Sequence, residues 1–142
     1  MGNRFLVPSI SGANSSAVVA TSQTTSSDSY TDLATVGPTV TLSTGNRALV
    51  IVTCRLTNGT TQGWAYMSYA VSGATTTSAS DATAVFVQMT NSSAGFSSTF
   101  RMSAASVATL NAGSNTFTAK YRRASTGTAT FVDREIFVIN LA

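Results

Sequence analysis

The sequence predicts an all-β fold, and three observations predict it. Thr (24 residues) and Ser (21) make up nearly a third of the 142-residue chain, alongside 13 Val and 12 aromatic residues. These types, Val, Thr, Phe and Tyr above all, suit a pleated backbone, whereas the helix formers Glu, Lys and Gln are nearly absent. From Tyr30 onward, short apolar runs alternate with turn residues, and no long stretch keeps a helical period. Only 13 residues are charged, 9% of the chain, against about 25% in ordinary proteins. A disordered chain would also be poor in apolar residues, but here they reach 43%. The chain therefore folds, and its length suits one domain.

Residues 1–29 are the least regular. "FLVPSI" is short and apolar, and Pro8 disfavours a central strand. "SGANSS" and "TSQTTSSDS" are loop-like and enclose "AVVA", so this stretch reads as a short N-terminal arm with at most one edge strand. "YTDLATV" then runs into the turn pair Gly37-Pro38, and "TVTLS" into the turn "TGN" at 44–46. "RALVIVTCRLT" is apolar on both faces, with Leu49 and Ile51 on one and Val50, Val52 and Cys54 on the other, as in a central strand.

"WAYMSYAVS" places Trp64 and Tyr66 on one side, and Met67, Tyr69 and Val71 on the other. In "TAVFVQMT", Val85, Val87 and Met89 alternate against Phe86 and Gln88. "GFSSTFRMS" reads as a strand, and "AASVATLNAG" as a helical turn or a short strand. "NTFTAKYRR" and "ATFVDREIFVINLA" flank "ASTG" and complete about eight strands. The spacing suggests one antiparallel β-sandwich or jelly-roll domain over residues 30–142, following the arm at 1–29.

The last segment sets Asp133, Arg134 and Glu135 side by side in the most apolar part of a chain where charge is scarce. Read as a hairpin turning at Thr126-Gly127, it puts Lys120 opposite Asp133, Arg122 opposite Phe131 and Thr118 opposite Glu135. Both acids then face the basic cluster, while Arg134 lies across from Ala119 among apolar neighbours. These charges would fix the strand register, pairing with one another or with another subunit; a solvated charged face with no interface role is the alternative. An exposed cross-strand pair contributes only about 0.2–1 kcal/mol.

Catalytic chemistry is almost excluded. There is no His, which removes most triads and zinc sites. Cys54, the one cysteine, is in phase with Val50 and Val52 and reads as a buried structural thiol. Asp28 and Asp32 flank Tyr30 without a further ligand set for calcium. No phosphate-binding or dinucleotide motif is present, so no cofactor is expected and the chain is not expected to be an enzyme. The net charge of +3 clusters only at Lys120 to Arg123, too sparse for a nucleic-acid partner. No apolar run reaches bilayer length, so no membrane partner is expected.

"YTDLATVGPTVTLSTGNRALVIVT" and "LNAGSNTFTAKYRRASTGTATFVDREIFVINLA" together resemble the β-jelly-roll domains of tailed-bacteriophage virion proteins. The overall pattern is similar to trimeric C1q/TNF-like modules. The resemblance covers residues 30–142 and is one of pattern. It implies a virion structural protein, namely a capsid decoration (cement) protein. Such a protein would be made in the host cytoplasm and bound, as a homotrimer, to the major capsid protein on the outer surface of the head. A chain that starts at Met1 with only a short arm before the β domain fits that reading.

The resemblance further implies Trp64, Tyr66, Tyr69 and Phe137 as trimer-interface candidates, with packing inside one protomer the alternative for each. Arg4, Phe5, Leu6 and Val7 of the arm become candidate capsid contacts. Lys120, Arg122, Asp133, Arg134 and Glu135 remain the candidate charge pairs. The alternative function is a tail-fibre or receptor-binding tip domain, which calls for a long shaft or a cluster of surface aromatics. A host lectin-like binding protein is the third reading.

Overall fold

Ala48, Val50, Val52, Cys54 and Leu56 point one way from the strand Arg47–Asn58 and are almost fully buried. That row needs a facing layer, and a second sheet supplies it. The computed structural model describes residues 13–60, 62–89 and 99–141. Within them lie nine strands: β1 (Asn14–Val19), β2 (Gln23–Thr25), β3 (Thr39–Thr44), β4 (Arg47–Asn58), β5 (Trp64–Gly73), β6 (Val85–Gln88), β7 (Phe100–Thr109), β8 (Gly113–Ala124) and β9 (Ala129–Asn140). The only helical element described is a 3-10 turn at Asp81–Thr83, so no helix is long and apolar enough to cross a membrane.

The strands form two antiparallel sheets. One has the order β1-β9-β4-β7, with β2 also on β9; the other has the order β3-β8-β5-β6. From β3 onward each strand joins the opposite sheet from its predecessor, except for the neighbours β5 and β6. Between the layers pack Met67, Val71, Phe117, Tyr121, Phe131, Ile136 and Val138 together with the inner row of β4. β1 and β2, inside the stretch expected to be an arm, lie end to end along β9. Residues 100–109, expected as two shorter pieces, form the single strand β7.

The topology corrects the terminal hairpin. β8 pairs with β3 and β5, β9 pairs with β4, β1 and β2, and the two lie in different sheets. Gly127 does take a positive φ of 81°, as a tight turn requires. A Cβ there would also strike the Thr60 hydroxyl and the Asn58 carboxamide oxygen. The turn carries the chain across the sandwich, because β4 already offers β9 an apolar partner over most of its length. Asn58 fixes this corner: its Nδ2 donates to the carbonyls of Trp64 and Thr126, and its Oδ1 accepts from the Thr60 backbone N–H. At the opposite end the fully buried Asn115 donates to Thr44 and accepts from the Thr75 N–H.

Strand β9 carries a bulge that the alternation pattern conceals. Thr53 faces Glu135 but Arg55 faces Val132, so Asp133 and Arg134 together oppose one residue of β4. Asp133 takes the left-handed conformation, φ 50°, which Asp tolerates better than most residues. The inward phase shifts by one position: Phe131 is buried before the bulge, and Arg134, Ile136 and Val138 after it.

Cys54 is buried as expected, with its thiol donating to backbone oxygen of Arg55 and lying 3.5 Å from that of Val132. Burial pushes the thiol up to about 12, so it stays protonated at neutral pH. A thiol-reactive dye at pH 8 should label the native protein on the order of a thousandfold more slowly than the guanidinium-unfolded chain. Equal labelling rates would show that this core opens readily.

Candidate functional site

The three charges of the last strand part company at the bulge. Asp133 turns outward and meets Arg55 at 3.2 Å and Arg101 at 4.0 Å. Glu135 shares that outer face, between Thr53 and Val18. Lys120, expected opposite Asp133, instead donates to Asp32 at 2.7 Å, and Arg122 pairs with Asp81. The expected pairing of Lys120 and Arg122 with Asp133 and Glu135 is therefore overturned, because their strands belong to opposite layers.

Arg134 turns inward and is completely buried. No acid pairs with it among the described residues. Its Nη1 donates to the carbonyls of Thr35 and Gly37, each at 3.4 Å, and its Nη2 to the Thr21 carbonyl at 3.4 Å and Gln23 Oε1 at 3.1 Å. The guanidinium carbon lies 5.3 Å from the Tyr121 ring centroid, within cation–π range. Tyr121 in turn donates from its hydroxyl to the Gly37 carbonyl at 2.8 Å. Arg134 thus reaches from one sheet to an aromatic ring of the other and holds two loops between them. Its role is structural.

The outer face of the five-stranded sheet is apolar at one end, and no described strand packs on it. Its rows run across four strands: Asn14, Ile139, Leu49 and Val107, then Ser16, Phe137, Ile51 and Ala105. Val107 is 48% exposed. The next row begins with the exposed Val18 and is otherwise polar, with Glu135, Thr53 and Ser103, and after it come Arg55 and Arg101 with Asp133. An apolar patch with a charged rim is the composition of an assembly surface.

The other outer face carries an aromatic cluster. Trp64 and Tyr66 of β5 meet Phe86 of β6, with ring centroids 5.4–5.7 Å apart. Arg122 lays its guanidinium 4.1 Å from the Tyr66 centroid and 5.5 Å from that of Tyr30. Asp81 accepts from Arg122 through both carboxylate oxygens and from the Tyr30 hydroxyl at 2.8 Å. The Arg122 hydrogen bonds hold the Asp81 carboxyl below the usual carboxylate range, while burial and the bond to Asp81 raise Tyr30.

Of the four interface candidates, then, only Phe137 lies on the apolar face. Trp64 and Tyr66 sit together on the opposite side of the sandwich. Tyr69 is in the core, 6% exposed, with its hydroxyl 2.9 Å from that of Ser106. Arg4, Phe5, Leu6 and Val7 lie outside the described residues. Leu49, Ile51 and Ile139 had a visible signal, since their strands are apolar on both faces; Val107, in a stretch read as a helical turn or a short strand, had none. Phe86 had one too, being out of phase with Val85 and Val87. Asp81 had none, because its partner lies 41 residues away. No group of His, Cys, Asp or Glu among the described residues could hold a metal ion.

No family model matches the sequence, and no curated protein matches it. Among solved structures, that of Eiger TNF from S. frugiperda is similar, with a TM-score of 0.59 over 91% of this chain and 93% of that one, at 13% identity. The fold is a TNF-like jelly roll. What the two proteins share at this identity is the two-sheet architecture. The outer faces of the TNF-like jelly roll described here owe their chemistry to its own residues.

Proposed function

We propose that the chain is a structural subunit of a virion: a decoration protein that assembles as a homotrimer and stabilises the outer surface of a tailed-phage head. The observation that carries the assembly half is the outer face of the five-stranded sheet, where Leu49, Ile51, Phe137, Ile139 and Val107 are contiguous. Val107 is exposed there and the other four are half-buried, beside a charged rim. Three copies rather than two follow from the C1q/TNF-like pattern, and the virion location from the resemblance to phage jelly-roll domains. A surface built from Ser and Thr allows close contact with a shell without desolvating many charges. Binding only the assembled, expanded lattice would stabilise that state by mass action.

The protein is expected to co-sediment with empty expanded heads, to leave unexpanded heads unbound, and to raise the temperature at which the expanded heads come apart. Adhesion to intact host cells with no binding to heads would favour the second reading, a tail-fibre or receptor-binding tip. The Trp64–Tyr66–Phe86 cluster supports that second reading, because exposed aromatic rings are common contacts for an external ligand.

A further inference from the structure

We infer that the aromatic cluster on the outer face of the four-stranded sheet is a binding platform for a neutral pyranose sugar. Trp64, Tyr66 and Phe86 form its floor, and Phe86 is 45% exposed. Tyr30 and Asp81, from two separate loops, meet at one side of it through their hydrogen bond. Gln88 lies beside Trp64 in register and adds an amide at the other side.

Three features select the ligand. The rings are pre-set, since Tyr66 is clasped by an arginine that Asp81 holds from the opposite side. A ligand therefore meets groups that lose little freedom on binding. The surroundings are electrically balanced, because Arg122, Arg123 and Lys120 are paired with Asp81, Asp28 and Asp32 respectively. Among the described residues these three cations are all paired, which leaves none of them to recruit a phosphate, a sulfate or a sialic acid. Finally, the platform is amphipathic. The exposed Phe86 ring, backed by the half-buried Trp64 and Tyr66, offers apolar surface to the C–H face of a pyranose. The Asp81 carboxylate, 55% exposed beside its arginine, and the Gln88 amide suit the hydroxyls at the sugar's rim. A protein partner of ordinary interface size would need a broader apolar field than three rings bordered by ion pairs.

The inference is independent of the capsid reading, since head binding and sugar binding are read by separate assays. The full chain would be applied to an array of neutral and acidic glycans, and any glycan retained would be titrated against the emission of Trp64, the only tryptophan. Retention of at least one neutral glycan is expected, with a shift in Trp64 emission. Tyr66→Ala and Phe86→Ala should each weaken the titration about tenfold, and Trp64→Ala should abolish retention on the array. Phe86 is on an exposed edge, so its variant keeps the test valid if Tyr66→Ala or Trp64→Ala fails to fold by circular dichroism. Retention of no neutral glycan, of acidic glycans only, or of neutral glycans undiminished by Phe86→Ala would overturn the inference. So would a Trp64 emission that responds to capsid heads and to no sugar.

Discussion

Arg134→Ala is expected to lower the unfolding free energy by about 3–5 kcal/mol, from the cavity left by the side chain and the acceptors left without a donor. For a domain whose total stability is only about 5–15 kcal/mol, that loss should appear as a melting temperature lower by roughly 10 °C or more. The carbonyls of Thr21 and Thr35 lose this donor, whereas the Gly37 carbonyl keeps the Tyr121 hydroxyl and Gln23 Oε1 keeps the Thr35 N–H. Arg134→Met separates the two contributions, because it refills much of the volume and restores no donor. It should fall between wild type and Arg134→Ala, by thermal melts and by urea titration. Were Arg134→Met as stable as the wild type, the carbonyl cage would contribute nothing and the arginine would be replaceable filler.

The second large effect is expected at the apolar sheet face. Wild-type protein should sediment at about three times the chain mass of 14.6 kDa, and Ile51→Asp or Leu49→Asp at the single-chain mass. Both residues point away from the protomer core, so the far-ultraviolet spectrum should be unchanged. Burying an unpaired carboxylate in each subunit contact costs several kcal/mol, and about 1.4 kcal/mol is already tenfold in a dissociation constant. Trp64→Ala serves as the control, because it lies on the opposite face and should leave the assembly intact. Wild-type protein that sediments as a single chain at all concentrations would defeat the assembly proposal outright.

Much of the fold was readable from side-chain type and phase alone. The both-sided apolar pattern of 47–57 marked β4 as a central strand, and the turn residues marked most boundaries. Strand-to-sheet assignment was not readable. The chemistry of Thr126-Gly127 demands a tight turn, and that demand is met equally by a return to the same sheet or a step to the other. The bulge at Asp133 was hidden for a related reason: it uses an aspartate where a glycine would have announced a positive φ. One extra residue there reverses which of Phe131 and Val132 enters the core. The aromatic cluster was half visible, since Trp64 and Tyr66 share a phase, but Phe86, Arg122 and Asp81 join them only through long-range pairing.

The alternation of successive strands between layers has a consequence for how the chain matures. β1, β2 and β4 all take β9 as their neighbour, so the five-stranded layer has no completed middle until residues near Asn140 have emerged from the ribosome. Until then β4 exposes an apolar edge in an unfinished molecule, the condition under which nascent chains stick to one another. Synthesis and folding are thereby forced into sequence, with the final strand acting as the clasp.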